Sequence, residues 1–107
     1  MSYKNRLAWE PLRSIDSATL AGSYVKIGPI LANPSYILKM VNNSNILVTI
    51  SLDGITDIDV CPASSFWLYD EDTSGNPTPE SVAKGTQFWI KGPVGIGLIY
   101  LVSIYVL

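Results

Sequence analysis

The last twelve residues, 96–107, constrain this chain more than any other stretch. Only Gly97 and Ser103 interrupt their apolar character. With the period of two that a strand imposes, Ile96, Leu98, Tyr100, Val102, Ile104 and Val106 share one face, and Ile99, Leu101, Tyr105 and Leu107 share the other. A strand that is apolar on both faces is covered on both faces. A two-layer sandwich leaves the outer face of each sheet to water, so something further must lie over this one. The leader carrying Trp9 is one candidate and a second subunit is the other; the sequence leaves both open.

The rest of the chain reads as short strands. Turn signals recur about every ten residues, with runs of Val, Ile, Thr and aromatics between them. Expected strands run over 24–27, 36–41, 46–52, 55–60, 66–69, 86–91 and 95–107. Over 46–52, Ile46, Val48, Ile50 and Leu52 alternate with Thr49 and Ser51, the pattern of a half-buried antiparallel strand. Asp53-Gly54 then predicts a tight hairpin returning along 55–60. Asn42-Asn43-Ser44-Asn45 reads as a loop. Residues 70–85, with Gly75, Pro77 and Pro79, read as one long exposed connection. A helical turn fits within 5–20 or near Glu80. The expectation is a single all-β domain, an antiparallel β-sandwich or jelly-roll-like barrel of about seven or eight strands. It spans 21–107, behind an extended N-terminal arm over 1–20.

Composition sets the functional bounds. Of 107 residues, 48% are hydrophobic and 15% charged, and the net charge is −2. A surface short of charge favours contact with a partner protein; a sandwich faced with Ser, Thr and Asn is the plainer alternative. The balance argues against a nucleic-acid partner, which needs clustered Lys and Arg. No stretch is long enough for a spanning helix, and the start lacks the apolar core of a signal peptide, so no membrane role and a reducing cytoplasm are expected. Lys4, Arg6 and Arg13 make the leader basic, against an acidic middle.

Chemistry is scarce. The chain has no histidine and a single cysteine, Cys61. Triads, histidine acid–base catalysis, His-containing metal sites and an intrachain disulfide are therefore out of reach. Cys61 beside Pro62 reads as a small buried hydrophobe. Gly92, Gly95 and Gly97 in GPVGIG fit no phosphate-binding fingerprint. Asp57 and Asp59, or Asp70, Glu71 and Asp72, offer carboxylates for calcium without a calcium-loop spacing. No catalytic residue, metal or cofactor is expected, and the chain reads as a non-enzyme. Trp67, Tyr69 and Trp89 are candidates for a sugar-stacking platform or a protein hot spot, with core packing as the plain alternative. The candidate interface set is Leu7, Trp9 and Leu12 in the arm, Trp67, Tyr69 and Trp89, and Ile99, Leu101, Tyr105 and Leu107.

Three runs together carry a resemblance: Asn33-Pro34-Ser35-Tyr36-Ile37-Leu38-Lys39-Met40-Val41-Asn42-Asn43-Ser44-Asn45, Val48-Thr49-Ile50-Ser51-Leu52-Asp53-Gly54, and Ala63-Ser64-Ser65-Phe66 with Leu68-Tyr69-Asp70. Followed by Lys84-Gly85-Thr86-Gln87, they resemble a phrase in small virion proteins of tailed bacteriophages. The likeness covers about 22–107 and leaves the leader unmatched; where the pattern has a histidine near Asp57, this chain has Ile58. It implies a β-sandwich built into a phage particle, as a capsid decoration or cement protein or a neck, tail or fibre component. Its implied partners are itself, as a dimer or trimer, and the major capsid protein or other virion proteins. A carbohydrate-binding module is the rival class.

Overall fold

The protein is described by a computed structural model over residues 7–70 and 82–106, with Asp70 and Val106 described by backbone alone. Among the described residues nine strands form two antiparallel sheets: β1 (Leu7–Trp9), β2 (Arg13–Asp16), β3 (Val25–Lys26), β4 (Ile37–Ser44), β5 (Val48–Ser51), β6 (Asp59–Cys61), β7 (Ser65–Asp70), β8 (Trp89–Lys91) and β9 (Gly97–Val106). The first sheet runs β1–β9–β4–β7, with β2 following β1 along the same edge of β9; the second runs β3–β8–β5–β6. From β2 onward the chain changes sheets at every connection except β5–β6. The all-β sandwich expected from the sequence is the fold observed, with nine strands instead of seven or eight.

The additional strands come from the leader. Leu7↔Val106 through Trp9↔Ile104, and Arg13↔Leu101 through Asp16↔Leu98, pair residues 7–16 with the final strand. This described part of the expected arm is thus an edge of the first sheet and does not lie across it. Its helical turn is a short 3-10 segment at Ser17–Thr19, N-capped by the Asp16 carboxylate, which accepts from the Ala18 N–H at 2.9 Å. Residues 1–6, most of the 70–85 connection with its expected turn near Glu80, and Leu107 lie outside the described residues.

The core lies between the sheets. Leu38 and Met40 of β4 and Ile99 and Leu101 of β9 face Val48, Ile50 and Ile90 across it, all fully buried, with Leu20, Ile27, Leu31, Cys61 and Phe88 closing the ends. Asn42 stands among them at 1% exposure, so its amide needs partners in place of water. Its Nδ2 donates to the carbonyls of Ile46 (2.8 Å), Cys61 (3.0 Å) and Pro62 (3.1 Å). That bridge is why Asn42-Asn43-Ser44 continues β4 when the residue types alone suggest a loop.

The Asp53-Gly54 hairpin is also replaced. Asp53 Oδ1 accepts from the N–H groups of Ile55 (2.8 Å) and Thr56 (2.7 Å) and from the Ser51 hydroxyl (2.8 Å). This local cage holds residues 52–58 as a wide loop. Only Asp59–Cys61 then returns beside β5, with Val48 opposite Cys61.

Candidate functional site

The two outer faces differ sharply. On the second sheet charged groups are tied down among exposed Val60, Ile58 and Ile55: Lys26 sits over the Trp89 ring at 5.4 Å, and Lys91 over Tyr24 at 4.7 Å while pairing with Asp57 at 3.0 Å. Tyr24 also donates its hydroxyl to Asp57. Desolvation, that hydrogen bond, and the negative charges of Asp57 and Asp53 push the Tyr24 phenol up to about 12. The same bond, with Lys91, holds Asp57 below the usual carboxylate range.

The exterior of the first sheet is largely apolar. The register aligns its outward residues in rows: Trp9–Ile104–Ile37, then Val102–Lys39–Leu68, then Ser14–Tyr100–Val41–Phe66, then Asp16–Leu98–Asn43. Phe66 is 64% exposed, Trp9 59% and Leu68 51%. Lys39 is the sole charged side chain near its middle among the described residues, and no ion pair is described for it. The rows are not flat. Lys39, Val41, Asn43, Ser65, Phe66 and Tyr100 line an open groove of about 550 Å³ toward one end, while Trp9 projects at the opposite corner. A contiguous apolar surface of this kind on a small domain marks a place where another surface settles.

The candidate interface residues separate accordingly. Ile99 and Leu101 are fully buried between the sheets, so they are core and not interface. Tyr105 pairs with Ala8 on that same inward side, and both are half-buried. The face left open on β9 is the other one, carrying Leu98, Tyr100, Val102 and Ile104. Sequence period alone separates the two faces of β9 without saying which is which.

The three aromatics do not form a platform. Trp67 and Tyr69 point inward, with Trp67 edge-on to Phe88 at 6.5 Å and its indole N–H donated to Asp59, while Trp89 lies outside the second sheet. Asp57 and Asp59 are likewise committed to separate partners, and no group of three metal-ligating side chains occurs among the described residues. Burial pushes the Cys61 thiol up, away from the reactive thiolate.

In the leader, Trp9 stands on the open face. Leu12, 61% exposed, edges a separate cavity of about 790 Å³ with Pro29, Ile30 and Lys84, and Leu7 is half-buried. Between Trp9 and Leu12 lies a feature the sequence reading missed. Arg13 Nη2 donates to Glu10 Oε1 at 2.7 Å, both side chains 3% exposed. Arg13 also donates to the carbonyls of Pro29 and Ile30, each at 3.0 Å. Glu10 accepts from the N–H groups of Ala32 (3.2 Å) and Asn33 (2.9 Å). Burial alone would raise Glu10, but Arg13 and these donors outweigh it and hold its carboxyl below the usual range. The spacing Glu-x-x-Arg around Pro11 is the signal the sequence carries for this pair.

Comparison with family models, with curated proteins and with solved structures finds no match to this chain.

Proposed function

We propose that this chain is a structural protein of a tailed-phage virion, a capsid decoration or cement subunit that acts through protein–protein contacts and performs no catalysis. The observation that carries the reading is the open apolar exterior of the first sheet, where Trp9, Phe66 and Leu68 are all more than half exposed. Leaving such a surface to water is costly, and proteins that keep one use it. Two further points support it. The likeness of residues 33–45, 48–54, 63–66, 68–70 and 84–87 to phage virion proteins bears on where the chain works. The strand order, β2–β9–β4–β7 against β3–β8–β5–β6, reads as a jelly roll, an arrangement that viral capsid domains employ.

In this reading the partners are other copies of the chain and the capsid surface. The described leader contributes through Trp9 on the sheet and not as a detached arm. A place in the neck, tail or fibre uses the same surface and differs only in copy number per particle. Mass spectrometry of gradient-purified particles from the phage that encodes the chain tests the proposal. Many tens of copies per particle is the expected result for decoration, and a handful points to neck or tail. Absence from washed particles refutes the virion reading altogether.

A further inference from the structure

We infer that the outer face of the first sheet is a self-docking surface, on which two copies pack sheet to sheet with Trp9 of each copy seated in the other's groove. This rests on the reading above that the chain works through protein contacts, and it specifies which surface, which partner and which anchor.

Shape is the first argument. An isologous interface requires that one surface be complementary to itself, with residue i meeting residue j and j meeting i. This face carries both halves of such a match. Trp9 projects at the corner where β1 meets the end of β9, with Ile104 and Ile37 beside it in the same row. The groove lined by Tyr100, Val41 and Phe66 opens two rows along and two strands across. Strand spacings of about 4.8 Å and rises of about 3.3 Å per residue put these positions roughly 16 Å apart, with Val102 near the midpoint. A two-fold axis lying in the interface above Val102 therefore exchanges knob and hole, and places the sheets at a steep crossing angle, of the orthogonal packing class. An open groove of about 550 Å³ has room for an indole to lie along it.

Area is the second argument. The overlap of two four-strand faces crossed in this way, counting only the exposed part of each Trp9, comes to roughly 1,000 Å². That falls just below the range for specific, stable association, about 1,200–2,000 Å², and in the range of weak, reversible pairs. A Trp seated in a complementary groove is also a residue type in which hot spots are enriched. The dimer so formed is reversible, with Lys39 setting its limit. Its stem packs on the partner's apolar rows while its ammonium must reach toward the rim.

Charge then separates a second copy from a foreign partner. A different protein evolved for this face would place a carboxylate opposite Lys39, and removing the amine would weaken the complex. Against a second copy, two ammonium groups approach one another, and removing them strengthens it.

Sedimentation equilibrium of the full chain from 5 to 500 µM tests the inference. The wild type is expected to dimerise within that range. Trp9→Ala, and separately Val41→Trp, which fills the groove, are each expected to weaken association at least tenfold, with an unchanged thermal midpoint when it is read below 5 µM, where every variant is monomeric. Lys39→Met is expected to tighten it several-fold. A wild type that stays monomeric to 500 µM overturns self-docking, as does a dimer indifferent to both Trp9→Ala and Val41→Trp, or one that Lys39→Met weakens. None of these results touches the particle-content measurement, so failure of this inference and failure of the virion reading remain distinguishable.

Discussion

Glu10 offers the sharpest test of how the leader is joined to the domain. Its carboxylate and the Arg13 guanidinium are each 3% exposed in the side chain, so water cannot replace either partner. Substituting Glu10→Gln keeps the shape but removes the charge. It also turns an amide NH2 toward the N–H groups of Ala32 or Asn33, or toward Arg13, all of which are donors. Breaking a buried pair from one side costs about 3–5 kcal/mol, because the remaining charge is left without compensation. Against a total of about 5–15 kcal/mol for a domain, that is a large fraction. In urea, with a slope of about 1–3 kcal/mol/M, the midpoint should fall by roughly 1–3 M.

The double-mutant cycle makes the test specific. Arg13→Met alone should cost a comparable amount, and the double variant should fall short of the sum by about 1–3 kcal/mol, since the two groups share one interaction. The pH dependence follows from the sign of the shift. Glu10 has a folded pKa below its ordinary 4.5, so it contributes stability that is complete above pH 4.5 and is lost as pH falls through the folded value. The gap between wild type and Glu10→Gln should therefore narrow in acid below pH 4.5. A Glu10→Gln midpoint within about 0.3 M of wild type, or strictly additive singles, would show that the leader is only loosely attached and that the pairing argument is wrong.

Other consequences can be checked quickly. Removing residues 1–12 deletes β1 and Glu10 together, so it should lower the thermal midpoint sharply, whereas a detachable arm would leave it unchanged. Gly28→Ala forces a Cβ to 2.5 Å from Arg13 Cγ at a φ of +70°, while Gly22→Ala at φ +84° meets open space. The first should cost well over 2 kcal/mol and the second only about 1 kcal/mol, the bare left-handed backbone cost, as read by urea denaturation. Asn42→Ala strands three carbonyl acceptors at the corner between β4, β5 and β6, with an expected loss of about 3 kcal/mol. Absorbance titration should place Tyr24 at about 12, and Asp57→Asn should bring it back toward its ordinary 10, with Tyr24→Phe identifying the signal. No change on Asp57→Asn would sever the link between the two groups.

The fold class could be read from the sequence because alternation and turn residues are local signals, and the sandwich needs little else. What could not be read were the places where side chains replace water as the partner of the backbone. Asn42, Ser51 and Asp53 are loop-forming types, yet Asn42 continues β4 while Ser51, at the end of β5, and Asp53 cage a wide turn, according to whether carbonyls or N–H groups are within reach. The leader illustrates the same limit. Its strands exist because β9 offers an edge, and an edge is a property of the assembled sheet.

The choice of face on β9 follows from its neighbour. Both of its sides are apolar, so its own residues are indifferent to which is turned inward. The asymmetry comes from β4, where Leu38, Met40, Asn42 and Ser44 alternate with Ile37, Lys39, Val41 and Asn43. Asn42 has internal partners for its amide, and Ser44 gives its hydroxyl to Asn42, so this polar pair can be enclosed. Lys39 has no described acceptor, and enclosing an unpaired ammonium costs far more than exposing Ile37 and Val41. Lys39 thus fixes β4, β4 fixes β9 through the register Lys39↔Val102, and the apolar side with Tyr100, Val102 and Ile104 is left outward. The residue that orients the sheet is therefore the one that stands in the middle of the open face. Lys39→Met removes that constraint, so besides tightening the dimer it should raise the chain's tendency to aggregate, measurable as light scattering on refolding.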